Sequence, residues 1–253
     1  MNGEYRDQFE RDGFIVLREF LTSVEIDSLR DGWRRFVRDI APGMDKAHVM
    51  YEDYEDADTL KQADCLHLEP SLDAWRHGGK IRELAEMLIG PVAPQHGEYF
   101  DKPPRGSKET PAHQDGYYFC LKPNLACTIW IPLETVDEEN GALTYIRGSH
   151  RHGVYEHGDS SILGFSQGLT GDMPRNADHV ICSAQPGDVL VHHSLTVHYA
   201  GRNRSNSRRR PSIAYVFFSA SSQRDEVAWD RYQRSLEKQR LAKGIAHTES
   251  VAG

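Results

Sequence analysis

From residue 92 to residue 218 this chain repeats one texture: short runs of β-branched and aromatic residues separated by Pro, Gly and Asn. Eight runs fit strands, at 94–101, 113–121, 125–133, 142–146, 179–184, 188–192, 196–200 and 212–219. Short strands broken so regularly by turn residues predict a mainly β fold, a sandwich or jelly roll. Asp137-Glu138-Glu139-Asn140-Gly141 has hairpin-turn chemistry, and Gln185-Pro186-Gly187-Asp188 marks another turn. Residues 150–178 carry few strand signals. An insertion that long in a compact domain usually serves function, for example as a lid.

The flanking segments read as helices. Residues 4–12 form a polar helix ended by Gly13, and Phe14-Ile15-Val16-Leu17 a short strand. Thr22 and Glu25 have capping-box spacing. Behind them Ile26, Leu29, Trp33, Phe36, Val37 and Ile40 recur at helical intervals, predicting a helix to about Asp39. Residues 44–75 give little pattern, with an acidic, aromatic loop or irregular edge at 50–56 and a helical turn at 71–78. A helix at 80–89 stops at Gly90-Pro91, and a charged helix at 224–242 offers Val227, Trp229, Tyr232 and Leu236 for docking. The expected organisation is a single domain over 1–243, with its β core at about 92–219 and a disordered tail at 244–253.

Composition narrows the function. A formal charge of −8 argues against a general nucleic-acid platform or an anionic membrane surface. No run of about 18 apolar residues suggests a membrane-spanning helix, and no apolar signal core opens the chain. Cys65, Cys120, Cys127 and Cys182 are scattered without a Cys-x-x-Cys pair, as expected of reduced thiols in the cytoplasm.

Candidate chemistry begins at His113-Gln114-Asp115, in front of Gly116-Tyr117-Tyr118-Phe119. Read as a strand, the segment puts His113 and Asp115 on one face. They would supply two thirds of a 2-His-1-carboxylate facial triad, although such a pair is also an ordinary surface hydrogen-bonding unit. Three further histidines, His192, His193 and His198, lie in a late strand region that a jelly roll can place beside an early one. Arg208-Arg209-Arg210 opens the following strand, and an arginine there can hold a dicarboxylate through a bidentate contact.

Other motifs stand in order around these residues. They are Asp12-Gly13-Phe14-Ile15-Val16-Leu17, Lys102-Pro103-Pro104, Trp130-Ile131-Pro132-Leu133-Glu134, Asn140-Gly141-Ala142-Leu143, Gly148-Ser149-His150 and Pro186-Gly187-Asp188. Over roughly residues 8–219 the set resembles the phytanoyl-CoA dioxygenase family of Fe(II)/2-oxoglutarate oxygenases. The resemblance implies a double-stranded β-helix whose iron ligands are His113, Asp115 and His198. It implies Arg209 as the 2-oxoglutarate anchor; strand alternation would point Arg208 and Arg210 away from it, as structural or solvated residues. Trp130 would line the co-substrate pocket, and Gln114 matches the residue between two ligands. O2 would take the remaining iron position, and the co-substrate would leave as succinate and CO2 while an unactivated C–H is hydroxylated.

Two positions depart from the family pattern. Ala200 replaces a serine that would hydrogen-bond the co-substrate, and Glu98 stands where some relatives have methionine. The carboxylate of Asp115 argues against halogenation. Tyr117, Tyr118, Phe165, Gln167 and Glu98 are candidates to face a small-molecule substrate. His150, His152 and His157 are expected on the polar surface, and His192 and His193 in packing or beside the ligands. The protein is expected to act as a monomer or homodimer. Oxidative cyclisation or desaturation, a non-catalytic 2-oxoglutarate-binding jelly roll, and a zinc-dependent cupin-like isomerase or hydrolase remain competing readings.

Overall fold

The computed structural model describes residues 2–46, 48–105, 107–160, 165–171 and 176–242. Its strands are β1 (Phe14–Leu17), β2 (Val49–Tyr51), β3 (Leu60–Ala63), β4 (Val92–Phe100), β5 (Thr110–His113), β6 (Leu121–Lys122), β7 (Ala126–Pro132) and β8 (Leu143–Ile146). There follow β9 (His157–Asp159), β10 (Gln167–Leu169), β11 (His179–Cys182), β12 (Val189–His193), β13 (His198–Ala200), β14 (Ser212–Ser219) and β15 (Gln223–Arg224). Helices are α1 (Asn2–Asp12), α2 (Ser23–Arg35), α3 (Pro70–His77), α4 (Gly79–Ile89), α5 (Asp115–Phe119) and α6 (Glu226–Ala242).

Two antiparallel sheets face each other. The larger runs β1-β12-β7-β14-β4-β3-β2 and the smaller β11-β8-β13-β5. Period-two alternation gives the larger sheet two apolar faces. Cys127, Ile129, Ile131, Val191, Ile213, Tyr215 and Phe217 pack outward with Leu29, Phe36, Leu72, Ile81 and Leu88. Phe14, Trp130, Leu190 and Ala214 point inward, against Leu143, Tyr145, Cys182 and Ala200 of the smaller sheet. Cover on both faces explains why every residue of β7 is buried.

The helical layer follows its sequence signals. The Thr22 hydroxyl accepts the Glu25 N–H at 3.3 Å, and the Glu25 carboxylate accepts the Thr22 N–H at 2.8 Å. This reciprocal cap fixes the start of α2 and contributes about 1 kcal/mol. The helix continues past Arg35 as a wider π-type turn over Phe36–Ile40. Residues 44–75, which gave little pattern, hold the β2–β3 hairpin that extends the edge of the larger sheet. Among the described residues, no helix is long and apolar enough to cross a membrane.

Three expectations need correction. The strand expected at 113–121 stops at His113, and Asp115–Phe119 closes a helical turn instead. Aromatic residues favour strands, but tertiary contacts override that preference here. The Gly116 N–H donates to the Ser194 carbonyl at 2.8 Å. A Cβ on Gly116 would lie 2.5 Å from the Asn124 side chain, so this turn needs glycine. Second, Asp137 to Gly141 closes no hairpin, because β7 and β8 belong to different sheets. Third, Val227 is 81% exposed and does not dock, whereas Tyr232 packs its ring 5.7 Å from that of Tyr118. The insertion holds the small β9–β10 hairpin, and its residues 161–164 and 172–175, like the tail at 244–253, lie outside the described residues.

Candidate metal centre

His113 and His198 are direct cross-strand partners in the β5–β13 pair. That register stands the imidazoles side by side, with ring centroids 4.2 Å apart. Asp115 enters from the first residue of α5, just beyond the strand end. One Asp115 oxygen, Oδ1, lies 3.5 Å from the Nε2 of both histidines. Donors about 2.1 Å from an ion and at right angles to each other stand about 3 Å apart, so a small contraction closes the three onto one ion.

The hydrogen bonds behind the donors fit a metal. His113 Nδ1 donates to the Pro111 carbonyl at 2.8 Å, and His198 Nδ1 to the Thr196 carbonyl at 3.0 Å. With Nδ1 protonated, each Nε2 turns a lone pair inward. Burial, with His113 and His192 close by, holds His198 well below the usual histidine range, so it is neutral. Burial would raise the Asp115 carboxyl, yet His198 close by and the hydrogen bond from His192 hold it well below the usual carboxylate range. Neutral imidazole and ionised carboxylate are the forms a divalent ion takes.

Asp115 is itself held in place. Its Oδ2 accepts the Thr128 hydroxyl at 2.5 Å and His192 Nε2–H at 3.0 Å. The Tyr145 hydroxyl in turn donates to His192 Nδ1 at 3.1 Å. Thr128 and His192 are cross-strand partners on the inward face, whereas His193 faces outward toward Phe9 and His150. Residue order alone does not reveal Thr128 and Tyr145, because their role comes from pairing across strands. His192→Phe is expected to weaken Fe(II) binding about 10- to 100-fold without unfolding the chain, because the carboxylate loses a fixed partner. Competition with a chelating dye measures it, and Thr128→Val should act in the same direction.

The arginines are placed differently from expectation. Ala214 of β14 pairs with Trp130 on the inward face and Ser212 shares its parity, with Arg210 two residues before the strand begins. Arg210 is 3% exposed, with its guanidinium 5.4 Å from the centre of the Trp130 ring. Its Nη1 reaches the Ser212 hydroxyl at 3.1 Å, and its buried Nε has no hydrogen-bond partner. Burial brings this guanidinium down to about 10, although Asp101 acts against that. Arg209 turns to the other side of the strand. It donates through Nε to Asp101 at 2.7 Å, through Nη2 to the same carboxylate, and through Nη1 to the Asp58 carbonyl at 2.6 Å. Arg208 pairs with Asp137 and Glu139. Lys102 is 3% exposed, and burial, with Arg210 and Lys61 nearby, lowers it to about 6. Lys102 Nζ donates to the Lys108 carbonyl at 2.7 Å, so Arg210, stacked over Trp130 with a buried N–H to spare, is the group here that suits an anion.

Gln114 is a clip and not a pocket residue. Its amide donates to the Gly153 and Leu195 carbonyls at 2.9 and 2.6 Å and accepts the Tyr155 N–H at 2.7 Å. Those bonds use the side chain and tie the insertion to the ligand turn. His157 is likewise no surface residue: its Nε2 accepts the Gln114 N–H at 3.1 Å, and burial lowers it to about 4. His150 is half-buried beside His193.

Among the candidate substrate residues, Phe165 and Tyr118 stand over the centre, with rings 5.1 and 6.0 Å from that of His113. The Tyr118 hydroxyl donates to the Gln167 carbonyl at 2.6 Å. Gln167 is 1% exposed and sends its amide to Ser235 of α6, away from the histidines. Tyr117 stacks on His157 at 4.2 Å. Glu98 lies on the inward face of β4, opposite Ala214.

A double-stranded β-helix that gathers two imidazoles and one carboxylate at one mouth defines the class of non-haem metal oxygenases. Residues 9–211 match the phytanoyl-CoA dioxygenase (PhyH) family, and the chain belongs to this family of iron- and 2-oxoglutarate-dependent oxygenases. Peroxisomal phytanoyl-CoA dioxygenase of Mus musculus is 27% identical over 240 residues, covering 89% of this chain and 70% of that protein. EvdO2 of Micromonospora carbonacea var. aurantiaca, complexed with 2-oxoglutarate, is 25% identical with a TM-score of 0.69, covering 88% and 93% of the two chains. The epimerase SnoN, in complex with Fe3+, alpha ketoglutarate and nogalamycin RO, shares the fold with a TM-score of 0.69 at 21% identity, over 87% and 84%.

Proposed function

We propose that this chain hydroxylates an unactivated C–H of a small molecule, using Fe(II) held by His113, Asp115 and His198. One observation carries the reading: two histidines with Nδ1 tied to backbone carbonyls direct both Nε2 atoms at one carboxylate oxygen. Iron with 2-oxoglutarate and O2 supplies an oxidant able to take hydrogen from carbon, with succinate and CO2 as co-products. His113, Asp115 and His198 would hold the iron as a facial triad. Arg210 takes the distal carboxylate of the co-substrate, with Trp130 against its guanidinium. Thr128 and His192 keep Asp115 aimed. Phe165 and Tyr118 bound the space a target carbon enters beside His113, and they limit water there.

The test is succinate release from anaerobically purified, Fe(II)-loaded protein given O2, 2-oxoglutarate and a broad panel of small molecules. Substrate-stimulated succinate above a His113→Ala control is the expected result. No succinate above that control would remove the catalytic reading and leave a binding jelly roll. Product mass decides the reaction: a gain of one oxygen marks hydroxylation, and a loss of two hydrogens marks cyclisation or desaturation.

A further inference from the structure

Among the described residues, a second group of mixed donors lies at the β2–β3 edge of the large sheet. His48, Asp64 and Cys65 each offer a ligand atom within 4.8 Å of the others. Asp64 follows β3, and its N–H donates to the His48 carbonyl at 3.0 Å, which sets the two side by side across the hairpin. Cys65 adopts the left-handed conformation, with φ 59°. Neighbouring side chains of a strand point to opposite faces, and this kink lets Asp64 and Cys65 share one.

The distances resemble a ligand cage. His48 Nδ1 is 3.7 Å from Cys65 Sγ and 2.8 Å from Asp64 Oδ1. Zinc bonds of about 2.0 Å to nitrogen and oxygen and about 2.3 Å to sulfur, in a tetrahedron, separate nitrogen from sulfur by about 3.5 Å and from oxygen by about 3.3 Å. The nitrogen–sulfur spacing already matches. The nitrogen–oxygen spacing opens by about 0.5 Å when an ion replaces the hydrogen bond between them.

We propose that His48, Asp64 and Cys65 form a second metal site for a borderline divalent cation, zinc foremost. The donor set of imidazole, carboxylate and thiolate suits such an ion better than calcium or magnesium, which take oxygen ligands. A coordinating cation takes the sulfur as thiolate and so displaces its proton. Binding sends that proton to solvent and moves the His48 proton to Nε2, for a net release of one proton per ion. The ion ties the outermost hairpin of the sheet together, next to the strand that carries Glu98.

Cobalt(II), titrated anaerobically into the metal-free full-length chain, is the probe. The catalytic centre has no sulfur ligand, so a thiolate-to-cobalt charge-transfer band reports the new site alone. The band is expected to saturate at a single thiolate-bound cobalt, to bleach when zinc is added and to persist in His113→Ala and Cys182→Ser. Cys65→Ser should remove it, and His48→Gln, a change at an exposed residue, should demand more cobalt for the same absorbance. No band in the parent chain, or a band that survives Cys65→Ser, overturns the proposal. Either result leaves the reading of the catalytic centre untouched.

Discussion

Replacing His198 with alanine is expected to cut 2-oxoglutarate-dependent succinate formation by at least about a thousandfold, or about 4 kcal/mol of transition-state stabilisation. The imidazole is one of the three donors gathered at this mouth, and its Nε2 stands 3.5 Å from the Asp115 oxygen that completes the set. Alanine leaves two donors, His113 at the end of β5 and Asp115 at the start of α5, and nothing from β13 to close the facial arrangement. The backbone of β13 keeps its pairing with β5 and β8, so the jelly roll survives the change. Succinate measured by mass spectrometry and bound iron measured on the same sample should fall together, with unchanged circular dichroism. Turnover within tenfold of the parent would mean that the ion sits on other donors.

Some of this centre is legible in the residue order, and some of it is not. A His-x-Asp triplet and a histidine 85 positions later are recognisable because ligand chemistry admits few residue types. The reason they converge is only partly the strand alternation that the triplet suggests. His113 ends a strand, whereas Asp115 begins a helical turn that needs Gly116, so the carboxylate arrives by a change of backbone direction. Thr128, Tyr145 and the orientation of His192 depend on register across three strands, which no local pattern carries. The α2 helix was readable because its cap and apolar stripe are local. The turn at Asp137 to Gly141 was readable as a turn, but the sheet its next strand joins is a long-range choice. His48 and Asp64 were opaque for the same reason: their proximity comes from a β2–β3 register that shifts between Met50 and Tyr51.

The basic cluster shows where counting along the chain fails, and it yields the second large effect. Arg210→Ala is expected to raise the KM for 2-oxoglutarate about 30- to 1,000-fold, corresponding to about 2–4 kcal/mol for the loss of a buried charge partner. The family resemblance implies Arg209, but the contacts around β14 favour its neighbour. Trp130 and Ala214 pair on the inward side, and Arg210, two residues ahead of Ser212 where β14 begins, lays its guanidinium over the Trp130 ring. Arg209 falls on the outward side, where Asp101 and the Asp58 carbonyl occupy its guanidinium. Truncating Arg209 therefore removes partners of a buried carboxylate, costs about 2 kcal/mol of stability and leaves the KM for 2-oxoglutarate within about threefold of the parent. Steady-state kinetics at saturating substrate, set beside thermal melting of both variants, separates the two residues. A large KM increase in Arg209→Ala with a normal Arg210→Ala would reverse the assignment and require β14 to enter the barrel one residue out of the register described.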